Sequence, residues 1–133
     1  MQVERTSTSR APMAVGPYSQ AVAAGDFVFT AGEIPVDPAT GAVPRTVGEQ
    51  TRLALSNLRE VLRASGVGDG NVASVTVYLA DIGDFQEMNL AYAEFFSEPY
   101  PARSCVAVSA LPKGVRVMVS AVGIRGRADR PSG

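Results

Sequence analysis

The stretch VASVTVYL, Val72–Leu79, alternates between two unlike sets of side chains. Ala73, Val75, Val77 and Leu79 are all apolar, whereas Ser74, Thr76 and Tyr78 are mixed. A period of two marks a strand, and a wholly apolar set marks the face that enters a core. The same alternation recurs in VRVMVSAVGI, Val115–Ile124, where Val115, Val117, Val119 and Ala121 oppose Arg116, Met118 and Ser120. Two such strands predict a sheet whose apolar sets lie under helices on one face. The other face carries Tyr78, Met118 and Val122, which suits packing against another subunit better than solvent.

The flanking segments supply the rest of that sheet and its cover. Gln20–Ala24 and Phe27–Ala31 are short strand-like runs around Gly25-Asp26, the spacing of a hairpin. EIPVDPATGAVP, residues 33–44, holds three prolines and a Thr-Gly pair and reads as a loop. Thr46 and Glu49 have capping-box spacing, and Val47, Ala54, Leu58, Val61 and Leu62 form a helical apolar stripe that Gly66 stops. A second helix is expected from near Asp84, with Phe85, Met88, Tyr92, Phe95 and Phe96 on roughly one face, until Pro99 ends it. Arg103–Val108 is a further strand. The order is ββαβαββ: an α+β fold in which right-handed crossovers lay both helices on one face of a mixed sheet. One domain fills residues 1–133, with 1–11 and 126–133 expected as flexible tails.

Composition narrows the chemistry. The chain is 46% apolar and 19% charged, an ordinary globular balance. Its net charge is −1 and Lys113 is its single lysine, which disfavours nucleic acid as a partner. With one cysteine there is no intrachain disulfide. With no histidine, the Ser-His-Asp, Cys-His and His-zinc schemes lose their usual residues, and no metal is expected. No run approaches a membrane span and no secretory leader is legible, so a reducing, cytoplasmic setting is expected.

YPARSCVAV, Tyr100–Val108, places a guanidinium at the mouth of an apolar strand, two residues before Cys105. Alternation extended to this strand assigns Ser104, Val106 and Val108 to the helix side, and Arg103 and Cys105 to the side of Met118. An arginine fork matches a carboxylate in bidentate fashion, yet a structural salt bridge accounts for such a residue as well. Cys105 is a small hydrophobe or a thiol without a histidine base. Tyr18, after a Gly-Pro turn, can pack or orient a polar ligand. Thr30, Ala31 and Gly32 stand at a strand end where Gly32 lets a ligand approach the backbone, and they lack the spacing of a phosphate loop.

In order along residues 11–125, GPYSQ, TAGEIP, MNLAYAEFF and YPARSCVAVSALPKGVRV resemble the RidA (YjgF) family. The resemblance implies a chorismate-mutase-like ββαβαββ protomer in a homotrimer with pockets between subunits. It implies cofactor-free hydrolysis of 2-enamino and 2-imino acids, such as 2-aminoacrylate and 2-iminobutyrate, to 2-keto acid and ammonia. Arg103 would grip the substrate carboxylate and, with Tyr18, serve catalysis; Cys105, Asn89, Thr30, Ala31, Gly32 and Met118 would line the pocket. Three positions depart from the family pattern. Ala31 stands where serine is frequent, and Met118 stands where a glutamate helps to position or activate water. Glu33, where the family commonly has glutamine, is the nearest acid in the matched motifs. The alternative is therefore a trimeric binder or sensor of small carboxylates that does not turn them over. A ribonuclease or translation-inhibitor role, attached to some members, sits poorly with one lysine and a slight negative charge.

Overall fold

A computed structural model describes residues 2–126. Its elements are β1 (Val3–Thr6), β2 (Ala21–Ala24), β3 (Phe27–Thr30), α1 (Val47–Ala64), β4 (Val72–Leu79), α2 (Phe85–Phe95), β5 (Ala102–Ala107) and β6 (Val117–Ile124). The strands form one sheet in the order β1-β2-β3-β6-β4-β5. β4 and β5, joined through α2, run parallel, and the other neighbours are antiparallel.

The hairpin forms as its turn residues predict: Ala24 pairs with Phe27, and Gly25 takes the positive φ of 61° that the first position of a two-residue turn requires. Thr46 caps α1, its Oγ1 accepting from the Glu49 amide at 3.1 Å. The other open end of that first turn is closed from α2, where Glu87 Oε2 accepts from the Gly48 amide at 2.9 Å.

The core lies between the sheet and α1. Ala54, Leu55, Leu58 and Val61 of α1 are sealed against Val28, Val75, Val77, Val117 and Val119. Each fully buried valine or leucine contributes about 1.5–3 kcal/mol. α2 adds Met88 and Tyr92 to the same cluster. The last strand is pinned to the loop after α1 at Gly123, where a Cβ would stand 2.6 Å from Val67 Cγ1.

Alternation holds on β6 throughout and on β4 from Val75 onward. Ala73 departs from it and is exposed, because the register with β6 breaks between Val72 and Ser74. Residues 1–11 are not simply a tail. Val3–Thr6 adds a sixth strand at the sheet edge, held by backbone pairing with β2 while most of its side chains stay exposed. Gln20 ties down the segment after β1, its side-chain amide bonding Thr8 N and O and Pro12 O at 2.6, 3.0 and 2.7 Å. At the other end Gly126 donates to Gly66 O, and residues 127–133 of the expected tail lie outside the described residues.

The face assigned to β5 needs correction. Arg103 pairs with Val75 and Cys105 with Val77, and paired residues of neighbouring strands share a face. Val75 and Val77 point at the helices, so Arg103 and Cys105 do too, and Val106 beside Tyr78 takes the outer face. Met118 also pairs with Tyr78 and is therefore on the face opposite to Arg103.

Candidate functional site

Two concavities, on different parts of the protomer, hold six of the eight residues expected at the site. The first, of about 570 Å³, is bordered by Tyr18, Ala31, Gly32 and Met118, together with Glu33 and Lys113. Its shape starts at the end of β3. There the Ala121 amide donates to Thr30 Oγ1 at 3.0 Å, and the same hydroxyl donates to Ala31 O at 2.8 Å. Regular pairing stops at Phe29–Val122 and resumes as a bridge between Glu33 and Val119, so β3 gains a residue over β6. That bulge brings Gly32 against Met118. A Cβ on Gly32 would lie 2.6 Å from Met118 Sδ, so only glycine leaves the thioether its seat on the backbone. Tyr18 is half-exposed at the cavity and its hydroxyl accepts from the Val15 amide at 3.4 Å. Lys113 borders it from a left-handed backbone, φ 57°, a conformation costly for a side chain with a Cβ.

Glu33 is 5% exposed, and burial pushes its carboxyl up to about 8. At neutral pH it therefore keeps its proton. Its pairing with Val119 puts it on the helix-facing side, away from Met118. The acid nearest to hand in the sequence is thus neither charged nor turned toward the residue it would replace.

The second concavity, about 340 Å³, lies where α2 meets β5 and is lined by Arg103, Asn89, Tyr92, Ala93, Tyr100 and Pro101. Arg103 Nη1 donates to Asn89 Oδ1 at 2.6 Å. Its Cζ stands 4.6 Å from the Tyr92 ring centroid and 5.6 Å from that of Phe85. Among the described residues no acidic side chain forms a salt bridge with it. The guanidinium is held in place by a neutral amide and two rings, and its charge stays available to an anion. Tyr92 and Phe85 were legible as one helix face but not as a platform for Arg103. The signal was their spacing with Asn89, at 85, 89 and 92.

Cys105 borders neither concavity; it packs against the core. Burial pushes its thiol above the ordinary range, outweighing the pull of Arg103 in the other direction, so the thiolate is disfavoured. Thr30 spends its hydroxyl on the sheet. Among the described residues no group of three or more metal-ligating acids or thiols comes together.

The family model of Endoribonuclease L-PSP, the RidA and YjgF group, matches residues 8–124. The chain belongs to the RidA family. Among its RidA relatives, TdcF of Escherichia coli K12, described as a putative reactive intermediate deaminase, is 45% identical over 121 residues, covering 89% of this chain and 94% of the relative. The 2-iminobutanoate/2-iminopropanoate deaminase of Salmonella typhimurium is 43% identical over 122 residues, 90% and 95% of the two chains. The crystal structure of E. coli TdcF with bound serine superposes with a TM-score of 0.89 at 43% identity, covering 92% of this chain and 99% of that one. The mixed sheet with two helices on one face is thus the RidA fold, and among the described residues no helix is long and apolar enough to cross a membrane.

Proposed function

We propose that this protein hydrolyses reactive 2-imino and 2-enamino acids to 2-keto acids and ammonia, in a homotrimer whose pockets join the two concavities across subunit boundaries. The observation that carries the reading is Arg103, an exposed guanidinium fixed by Asn89 and stacked on Tyr92, without an acidic partner among the described residues. It is a ready receptor for the α-carboxylate that every such substrate carries. The names of the relatives support the reaction, and serine in the TdcF structure supports a small amino-acid-like ligand.

Water is the nucleophile. It adds to the C=N carbon, the proton passes to nitrogen, and ammonia leaves as the C=O forms. Arg103 anchors the carboxylate, and Asn89, whose oxygen Arg103 already occupies, is a positioning residue for the fork. Tyr18 supplies the hydroxyl that orients water or the imine. No carboxylate stands at Met118, so the acceleration rests on capture and orientation. A positioned base would add about 10²–10⁴-fold.

The test is release of ammonia and 2-keto acid when the protein is added to a dehydratase producing 2-iminobutyrate. Wild type is expected to exceed buffer, Arg103→Ala to lose most of the gain with its fold intact, and Met118→Glu to exceed wild type. A wild-type rate equal to buffer overturns the reading and leaves a carboxylate binder in its place.

A further inference from the structure

The first cavity carries information about the substrate's other end. Around Met118 its wall is built from Pro12, Met13, Val15, Ile34 and Val36. The polar groups that sequence places nearby are spent or averted. The Gln20 amide is committed to Thr8 and Pro12, the Thr30 hydroxyl to the β3–β6 junction, and Glu33 shares the helix-facing side of Val119. Tyr18 and Lys113 remain, with the buried Glu33, as polar groups at its border. Met118 lies along the backbone of Gly32, where an unbranched thioether can shift to fit apolar chains of different shape.

Resting on the deaminase reading above, we infer that Met118 is a specificity-determining residue which selects 2-imino acids with long or branched apolar side chains over the three- and four-carbon imines. The chemistry of such substrates fixes where they come from. A side chain without a leaving group on Cβ cannot yield an imine by elimination of water. Its imine must arise by two-electron oxidation of the amino acid at the Cα–N bond, R–CH(NH3+)–COO− giving R–C(=NH2+)–COO−. Two electrons and one proton pass as hydride to an enzyme-bound flavin or nicotinamide, a second proton leaves the ammonium nitrogen as C=N forms, and a third goes to solvent only if the imine is released neutral. Hydrolysis then consumes one water, breaks C=N, forms C=O and releases ammonium. This places the protein after an amino-acid oxidase or dehydrogenase class of reaction rather than after a dehydratase.

The experiment compares kcat/KM for two imines made in the cuvette: 2-iminobutyrate from a dehydratase, and the leucine-derived imine from an L-amino-acid oxidase with catalase present. Wild type is expected to favour the leucine-derived imine by at least about tenfold, the lower end of what one extra methylene in an apolar pocket is worth. Met118→Leu should keep that preference. Met118→Glu and the near-isosteric Met118→Gln, which guards against a folding failure in the first, should bring it to parity or reverse it. A wild type that turns over 2-iminobutyrate as well or better overturns the inference and leaves the deaminase reading standing, as does a preference that survives Met118→Gln. A folded, assembled wild type that accelerates neither imine overturns both.

Discussion

At the scale of single residues, Glu33 makes a prediction that needs no substrate. Its carboxyl titrates near 4.5 when unfolded and about 8 when folded, because burial disfavours the charge. Below the lower value both states hold the proton and the full stability is present. As pH rises from there through about 8, the unfolded chain releases its proton while the folded chain keeps it, so stability falls. The loss has a ceiling of about 5 kcal/mol. Glu33→Gln, neutral at every pH, should match wild type in thermal melts near pH 4.5 and exceed it increasingly toward pH 8.5. Parallel melting curves at both ends would refute this. The same residue shows how far sequence reached. Glu33 was visible as the nearest acid to the gap left by Met118, but its side of the sheet depends on a bulge after Phe29 that no spacing in the chain announces. Arg103 was legible as a charge needing a partner or a task, and the absence of an acid beside it among the described residues became visible only with α2 in place.

At the scale of elements, the strands with one wholly apolar side were read correctly except at Ala73, and the one without it was not. On β4 and β6 burial enforces the register, since a slip of one residue would drive Val77 or Val119 into the outer face. On β5 every residue but Cys105 is exposed, and both alternating sets contain apolar side chains. Hydrophobicity therefore does not specify which set faces inward, and pairing with β4 decides it. β1 escaped for a related reason: a polar edge strand held by backbone hydrogen bonds has no apolar face to betray it. A test of the well-specified part is Gly123→Ala, which pushes a methyl onto Val67 in the core. The expected cost is about 1–3 kcal/mol in denaturant melts, and Val67→Ala in the same chain should recover part of it.

For the whole molecule the outer sheet face is the feature to explain. Phe27 and Phe29 are each about half exposed there, at 50% and 48%, and Phe29 pairs with Val122. Covering such rings is what the proposed trimer would do. Phe29→Asp should leave a folded chain of monomer mass in sedimentation equilibrium, with deaminase activity lost alongside. A trimer that survives the substitution would place the contact elsewhere.

Arg103 and Met118 point away from each other across one sheet, so no single chain can close both around one small molecule. Two dead proteins should therefore make a living one. Unfolded together in equal amounts and refolded, Arg103→Ala and Tyr18→Phe chains would assort at random, and roughly one boundary in four would combine an intact Arg103 with an intact Tyr18. Activity near a quarter of wild type from a mixture of two inactive variants would be genetic complementation performed inside a single oligomer.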